Sequence, residues 1–366
     1  MLLKPDYLNC ILNVVSSIKK YNNLEYTYPS NELLDKELES KPKHIVLMIL
    51  DGMGSNIINK HSALLPFLVS NKKTDISSVF PSTTSASIPA CVSGKAPIET
   101  CWVGWENYVK EIDRDVVFFK NIDFITNEKL DFDVKTVFPY VPFYKDLGIE
   151  CNEVGPYFYE NGCKDFKEFV NRIINITHKD YPTFTYAYWD NPDKVLHTEG
   201  TDSKGVRKTL KDINNHLTRL NKYMKDVCLI ITADHGHIDC EPIYIRQYKE
   251  LYEMLIRMPS NEARCTFFKV KDDKHMEFKE MFNKLFGDKF ILMTKKEFIE
   301  NEFLGLNKYS VKHDKIEEIV GEFVAIAFDK YYFDILQDEP TGLVFKSHHA
   351  GLTKEELIVP LIICNK

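Results

Sequence analysis

Short unbroken apolar runs, each close to a polar cluster, organise this chain. HIVLMIL at 44–50 is too short for an independent helix and is followed at once by Asp51, Gly52 and Gly54. It is predicted as a buried parallel strand with Asp51 at its carboxyl end. TFTYAYW at 183–189 ends just before Asp193, VCLIITA at 227–233 ends at Asp234 and His235, and LIVPLIIC at 357–364 follows His349. Between the second and third runs, Val206, Leu210, Ile213, Leu217, Leu220 and Met224 recur at spacings of four and three. That stripe predicts the amphipathic crossover helix a parallel sheet requires. In open α/β sheets, ligands bind outside the carboxyl ends of the strands, where three of these clusters fall.

From 264 to 303 the pattern changes to strand (ARCTFFKVK), helix (MEFKEMFNKLFG, stopped by Gly287), strand (FILMT) and helix (KKEFIENEF). Only His275 in this unit is a candidate ligand, and the unit separates His235 from His349. The expected fold is therefore α/β, a three-layer α/β/α sandwich around a mostly parallel sheet with a small inserted α/β cap. Residues 1–240 and 311–366 are assigned to the core and 241–310 to the cap. The aromatic-rich stretch from Cys91 to Tyr159 has no clean period and is expected to supply core and cleft wall.

With 366 residues, 44% apolar and 13% aromatic, the chain can bury a large core. A net charge of −7, with 47 basic residues interspersed among 54 acidic ones, gives no basic arm for a nucleic-acid polymer. Any anionic substrate must be held locally. No run of ~20 apolar residues suggests a membrane span, and the amino terminus lacks a signal-type apolar core, so a soluble, cytoplasmic protein is expected. Nine cysteines with no C-x-x-C pair fit reduced thiols rather than a disulfide framework or a thiolate zinc site.

Three carboxylates, three imidazoles and a hydroxyl stand out: Asp51, Asp193 and Asp234, His197, His235 and His349, and Thr84. Alone, each has a structural explanation: Asp-Gly makes turns, Asp193 and His197 can pair across one helical turn, and TADHG can open a helix. Together they would ligate two adjacent cations and leave an alcohol poised to attack phosphorus. A set without thiolate suits zinc first, with manganese, iron or magnesium behind. His237 and His348 each neighbour a candidate ligand and are given a supporting role or none.

SVFPSTTSASIPACVSGKAP predicts a strand end, a turn at Pro81 and a short helix from near Thr84 to Gly94. A hydroxyl at a helix amino terminus faces free N–H groups that favour a phosphoryl group. Ser and Thr also cap helices routinely, and Ser82, Thr83, Thr84 and Ser85 compete for both jobs.

The order LDGMG, FPSTT, D-x-x-x-H, TADHG and a late H-x-G-L-T before a proline-containing strand resembles the alkaline phosphatase superfamily. Within it, the nucleotide pyrophosphatase/phosphodiesterase (type I phosphodiesterase-like) branch matches best, over roughly residues 44–364. The resemblance implies two zinc ions, one held by Asp51, Thr84, Asp234 and His235, the other by Asp193, His197 and His349. It also implies that the second threonine of FPSTT, Thr84, is the nucleophile. This chain departs from the family pattern in carrying Thr100, Cys101 and Trp105 where relatives often have His-Gly and an Asn that binds a phosphate oxygen. It also has HAGLT in place of HGGLT.

The expected protein is a metal-dependent phosphoric ester hydrolase of small-molecule or nucleotide-like substrates. Ser85, Trp105 and Lys194 are its candidate substrate contacts. The alternatives are a phosphomonoesterase, a phosphomutase of the same superfamily and a non-catalytic metal-binding protein.

Overall fold

The computed structural model describes residues 3–340, 342 and 344–366; the first two residues of the amino-terminal stretch lie outside it. The four apolar runs form the strands His44–Leu50, Thr183–Trp189, Val227–Thr232 and Ile358–Asn365, and nearly every residue in them is buried. With Lys72–Ser77 and Glu150–Val154 they make a six-stranded sheet. His44–Leu50 lies at its centre, between Val227–Thr232 and Thr183–Trp189. These three and Glu150–Val154 are parallel, whereas Ile358–Asn365 runs antiparallel to both its neighbours.

Register explains why the polar clusters meet. Leu50 pairs with Trp189 and Ile49 with Thr232, so three strands end at one level. The backbone then ties the ends together: Asp51 N donates to Trp189 O at 2.9 Å and Asp193 N donates to Asp51 O at 3.0 Å. Gly52 sits at φ +72°, and a Cβ there would lie 2.9 Å from the Asp193 Cα. Only glycine permits both that conformation and that approach.

The predicted crossover helix is Lys204–Tyr223, with Val206, Leu210, Ile213, Leu217 and Leu220 buried and Ser203 Oγ accepting from Val206 N. It packs with Phe166–Ile176 and Pro66–Asn71, while Ile11–Tyr21 packs with Glu32–Leu38 and Thr84–Ser93. The helices and sheet form the expected three-layer α/β/α arrangement. Among the described residues, no helix is long and apolar enough to cross a membrane.

The segment expected as a cap forms Cys265–Phe268, His275–Phe286, Phe290–Thr294 and Lys295–Glu300, in the predicted order. Its strands do not stand alone. They belong to a seven-stranded antiparallel sheet that also takes Ser260–Glu262, Phe323–Ala327 and the strands Glu106–Val109, Arg114–Val117 and Ile122–Asp123. The sheet therefore draws strands from both sides of 241–310, because the short, irregular strands after Trp105 pair there through Asn261 opposite Glu106. Phe268, Phe278, Phe282, Phe286, Phe290 and Phe333 fill a separate core beneath it.

A buried ion pair fastens this sheet to the late loop. Arg264 donates through Nε and Nη2 to the two carboxylate oxygens of Glu356, at 2.6 and 2.8 Å. Glu356 Oε1 also accepts from Gly351 N at 2.7 Å, which fixes the segment just after His349. A fully buried pair persists only when both partners are this well satisfied.

Candidate metal and catalytic centre

Thr84 is the first residue of the helix Thr84–Ser93, which closes at Gly94 with φ +74°. Thr83 occupies the cap position but sends its hydroxyl elsewhere, to Glu262 Oε1 at 2.6 Å. Thr84 Oγ1 instead faces three acceptors: Asp51 Oδ1 and Oδ2, both at 3.4 Å, and His235 Nε2 at 3.2 Å. One hydroxyl proton cannot serve three acceptors, and none of these contacts is short. Ser87 Oγ donates to Asp234 O at 2.9 Å and so holds this helix against the strand end.

Four histidines have their tautomers set by what their Nδ1 atoms meet. Nδ1 of His197, His235 and His349 lies 3.0, 3.1 and 3.2 Å from the carbonyl oxygens of Ser347, Gly236 and Ser82. A carbonyl can only accept, so each neutral ring is protonated at Nδ1 and turns an Nε2 lone pair inward. His197 Nε2 lies 3.3 Å and His349 Nε2 3.9 Å from Asp193 Oδ1; His235 Nε2 lies 3.4 Å from Asp51 Oδ1. The fourth ring, His237, places Nε2 2.7 Å from Asp193 Oδ1.

Lone pairs and carboxylates crowded in this way repel one another until a cation enters. Asp234 Oδ1 accepts from the backbone N–H of Gly52 and His235, at 3.1 and 3.0 Å, yet its buried Oδ2 has no hydrogen-bond partner. Burial, with Asp234 and Asp193 alongside, pushes the Asp51 carboxyl well above its ordinary range. Burial and neighbouring rings push His349 well down, and burial takes His237 down to about 4. Oxygen and imidazole donors with lone pairs aimed at shared points fit divalent cations, zinc foremost.

Two overlapping donor groups emerge, Asp193–His197–His237–His349 and Asp51–Asp193–His235, the donor atoms of each lying within 4.8 Å of one another. The stacked rings of His235 and His349, centroids 3.7 Å apart, join them. Thus the structure brings Asp51, Thr84, Asp193, His197, Asp234, His235 and His349 to one place. Tyr188, unmarked in the sequence reading, donates its hydroxyl to Asp51 Oδ2. It is the penultimate residue of the Thr183–Trp189 strand, and only its position next to that strand end could have signalled it.

A cavity of about 560 Å³ opens from Thr84, Asp193, His197, His348 and His349 towards the second sheet. Trp105, Phe124, Tyr332, Phe333 and Phe345 supply aromatic wall, and Glu106, Glu262 and Asp334 add carboxyls to that of Asp193. No described lysine or arginine lines it. Trp105, 37% exposed, stands on the rim and donates its backbone N–H to Glu262 Oε1 at 2.8 Å. Ser85 is buried in the first helical turn with its hydroxyl unpartnered, and Lys194 is exposed away from the cavity lining. Asn107, the asparagine nearest Trp105, spends its amide on Gly104 O at 2.7 Å.

The family model described as type I phosphodiesterase / nucleotide pyrophosphatase matches residues 45–334. Human ectonucleotide pyrophosphatase/phosphodiesterase family member 5 is 30% identical over 115 residues, 28% of this chain and 24% of that protein. Bis(5'-adenosyl)-triphosphatase ENPP4 of Pongo abelii is 30% identical over 99 residues, 24% of this chain and 22% of that protein. The matched stretch spans less than a quarter of either relative.

Among solved structures, murine ectonucleotide pyrophosphatase / phosphodiesterase 5 in complex with AMP is similar with a TM-score of 0.63 at 16% identity, covering 87% of both chains. Phosphonoacetate hydrolase from Sinorhizobium meliloti 1021, in complex with phosphonoacetate, gives 0.63 at 14% identity, over 88% of this chain and 90% of that one. At such identities these likenesses establish the fold alone.

Proposed function

The chain belongs to the type I phosphodiesterase / nucleotide pyrophosphatase family, and from that premise we propose that it hydrolyses phosphoric diesters of small, nucleotide-like molecules through a covalent phosphothreonine on Thr84. The observation that carries the reading is the Thr84 hydroxyl, which caps nothing and sits 3.2–3.4 Å from Asp51 and His235. Asp51, Thr84, Asp234 and His235 would hold one divalent cation and Asp193, His197 and His349 a second. When bound, such a pair lowers the pKa of the nucleophile and stabilises charge on the attacking and leaving oxygens.

Thr84 Oγ1 attacks phosphorus in line; the Oγ–P bond forms, the bond to the leaving oxygen breaks, and the departing alcohol takes up a proton. Water then attacks the phosphothreonine, breaking Oγ–P and releasing the phosphorylated product. The first-turn N–H groups of Thr84 and Ser85 have no preceding helical carbonyl and are donors for a non-bridging oxygen. Asp51, Asp193 and Asp234 balance cation charge and fix geometry, and Tyr188 holds Asp51 in its orientation. Phosphate-ester hydrolysis demands roughly 20 kcal/mol of barrier reduction, beyond the reach of one general base.

The cavity supports diesters over monoesters. A monoester carries about one more negative charge, and a cavity with four carboxyls and no lysine or arginine on its described lining offers no side-chain cation to balance it. Its aromatic wall suits a flat or apolar leaving group. The relatives support the nucleotide-like class: one solved structure of similar fold holds AMP and a curated relative is a bis(5'-adenosyl)-triphosphatase. Aryl phosphodiesters, aryl monoesters and dinucleoside polyphosphates assayed with added zinc, manganese or magnesium test the reading. Diesters should turn over at least tenfold faster than monoesters, and full activity in metal-free protein would overturn it.

A further inference from the structure

We propose that His237 is a fourth protein ligand of the cation assigned above to Asp193, His197 and His349; the proposal rests on the two-cation reading. One hydroxyl decides the tautomer of His237. Ser347 Oγ lies 2.8 Å from Leu196 O and 3.0 Å from His237 Nδ1. Its single proton is committed to the carbonyl, which cannot donate, so towards His237 the same oxygen is an acceptor. His237 therefore carries its proton on Nδ1 and presents an Nε2 lone pair to Asp193 Oδ1 at 2.7 Å.

Two acceptors at that distance repel unless a positive centre lies against both. If His237 merely donated a hydrogen bond to Asp193, Nε2 would need the proton and Nδ1 would have to accept one. Ser347 would then abandon Leu196 O, which would keep only the bond from Gly200 N at 2.8 Å, one hydrogen bond fewer than in the arrangement observed. The ring is fully buried, and its donor atom lies within 4.8 Å of those of Asp193, His197 and His349. His348 differs: its Nδ1 accepts from His349 N at 3.0 Å, and it belongs to neither donor group.

The two cation positions are then unlike. Asp193 with three imidazoles is a nitrogen-rich shell bearing one carboxylate charge, whereas Asp51, Asp234, Thr84 and His235 form an oxygen-rich shell bearing two. Imidazole-rich sets select zinc over harder ions, so this position should keep zinc when the other exchanges it for manganese or magnesium.

Chelator-stripped protein titrated with cobalt(II), read by bound-metal count and visible absorption, tests the assignment on wild type, His237→Ala, His237→Gln and His348→Ala. Wild type and His348→Ala should bind two ions. His237→Ala and His237→Gln should keep one, with affinity for the other falling more than 100-fold and its absorption band moving. A supporting hydrogen bond is worth only about 10–100-fold and leaves the ligand set alone. An unchanged band in either His237 variant overturns the proposal even if affinity drops, and the glutamine variant answers should the alanine variant fail to fold. Wild type that binds no ion overturns the two-cation reading as well.

Discussion

At the carboxyl ends of the six-stranded sheet, the buried Asp51 and Asp234 and the half-buried Asp193 face four imidazoles whose Nε2 lone pairs point inward. Across the cavity, the seven-stranded sheet buries two glutamates, Glu106 and Glu262, with no lysine or arginine among the described residues that line the cavity. Burial alone penalises both sets of carboxylates. The first set is surrounded by groups that can share a cation. The second has Thr83 Oγ1 and Trp105 N as neutral donors to Glu262 and pushes that carboxyl up to about 7, chiefly by burial. One wall is built for charge that arrives from outside, and the other tends to shed its own.

The largest test of the contrast is Thr84→Ala. Loss of the nucleophile should lower turnover by about 10⁴-fold or more while fold and bound metal persist, and Thr84→Ser should recover part of it. Thr83→Ala, which touches only the glutamate wall, should be far milder. Quenched turnover followed by peptide mass analysis should find phosphate on Thr84; label on another residue would remove the assignment.

His349→Ala should lose one ion by elemental analysis and most activity, whereas His348→Ala should keep both ions. The reverse ranking would show that the SHHAG segment has been aligned one residue out of step.

Arg264→Met strands Glu356 as an unpaired buried charge and frees the loop behind His349. It should cost about 3–5 kcal/mol in denaturant unfolding. A loss below about 1 kcal/mol would mean that the second sheet docks without this tie.

Glu262→Gln probes the neutral wall. With a folded pKa of about 7 against an ordinary 4.5, the folded state holds a proton that the unfolded state has lost between those values. Stability therefore falls as pH rises from 4.5 to 7 and stays lower above, by roughly 3 kcal/mol at most. The glutamine variant should lack this decline, so its advantage over wild type should be greater at pH 8 than at pH 5. Equal pH dependence of the two proteins would remove the contrast.

The smallest expected effect is at Ala350, the second residue of HAGLT. The residue adopts φ +84°, a region glycine enters without penalty. Ala350→Gly should stabilise by about 1 kcal/mol, measurable as a shift in the unfolding midpoint.

Six of the metal candidates were legible because they lie near continuous apolar runs, and such runs declare buried strands without any knowledge of their partners; Thr84 was marked out instead by the FPSTT motif. The strands His44–Leu50 and Thr183–Trp189 fell within the predicted limits. The crossover helix formed over the predicted stripe, with Met224 just past its end, since a 3.6-residue stripe is a local property. The cap's strands and helices were readable for the same reason, but their sheet was not. Glu106–Val109 and Phe323–Ala327 are short, and the pairings that join them to Ser260–Glu262 and Cys265–Phe268 link segments far apart in sequence, so no local pattern announces that sheet.

His237 was passed over because two residues from a ligand the side chain was expected to point elsewhere. A two-residue strand, Ile238–Asp239, pairs with Ser347–His348 and turns the ring back towards Asp193. Tyr188, Glu106, Glu262 and Arg264 were hidden likewise. Residue types and strand ends are written in the chain, so the sequence determined the sheet and which polar groups reach its edge. Which lone pair faces which carboxylate, and which carboxyl stays neutral, depends on burial and on hydrogen-bond partners scores of residues away, and only the folded chain brings those together.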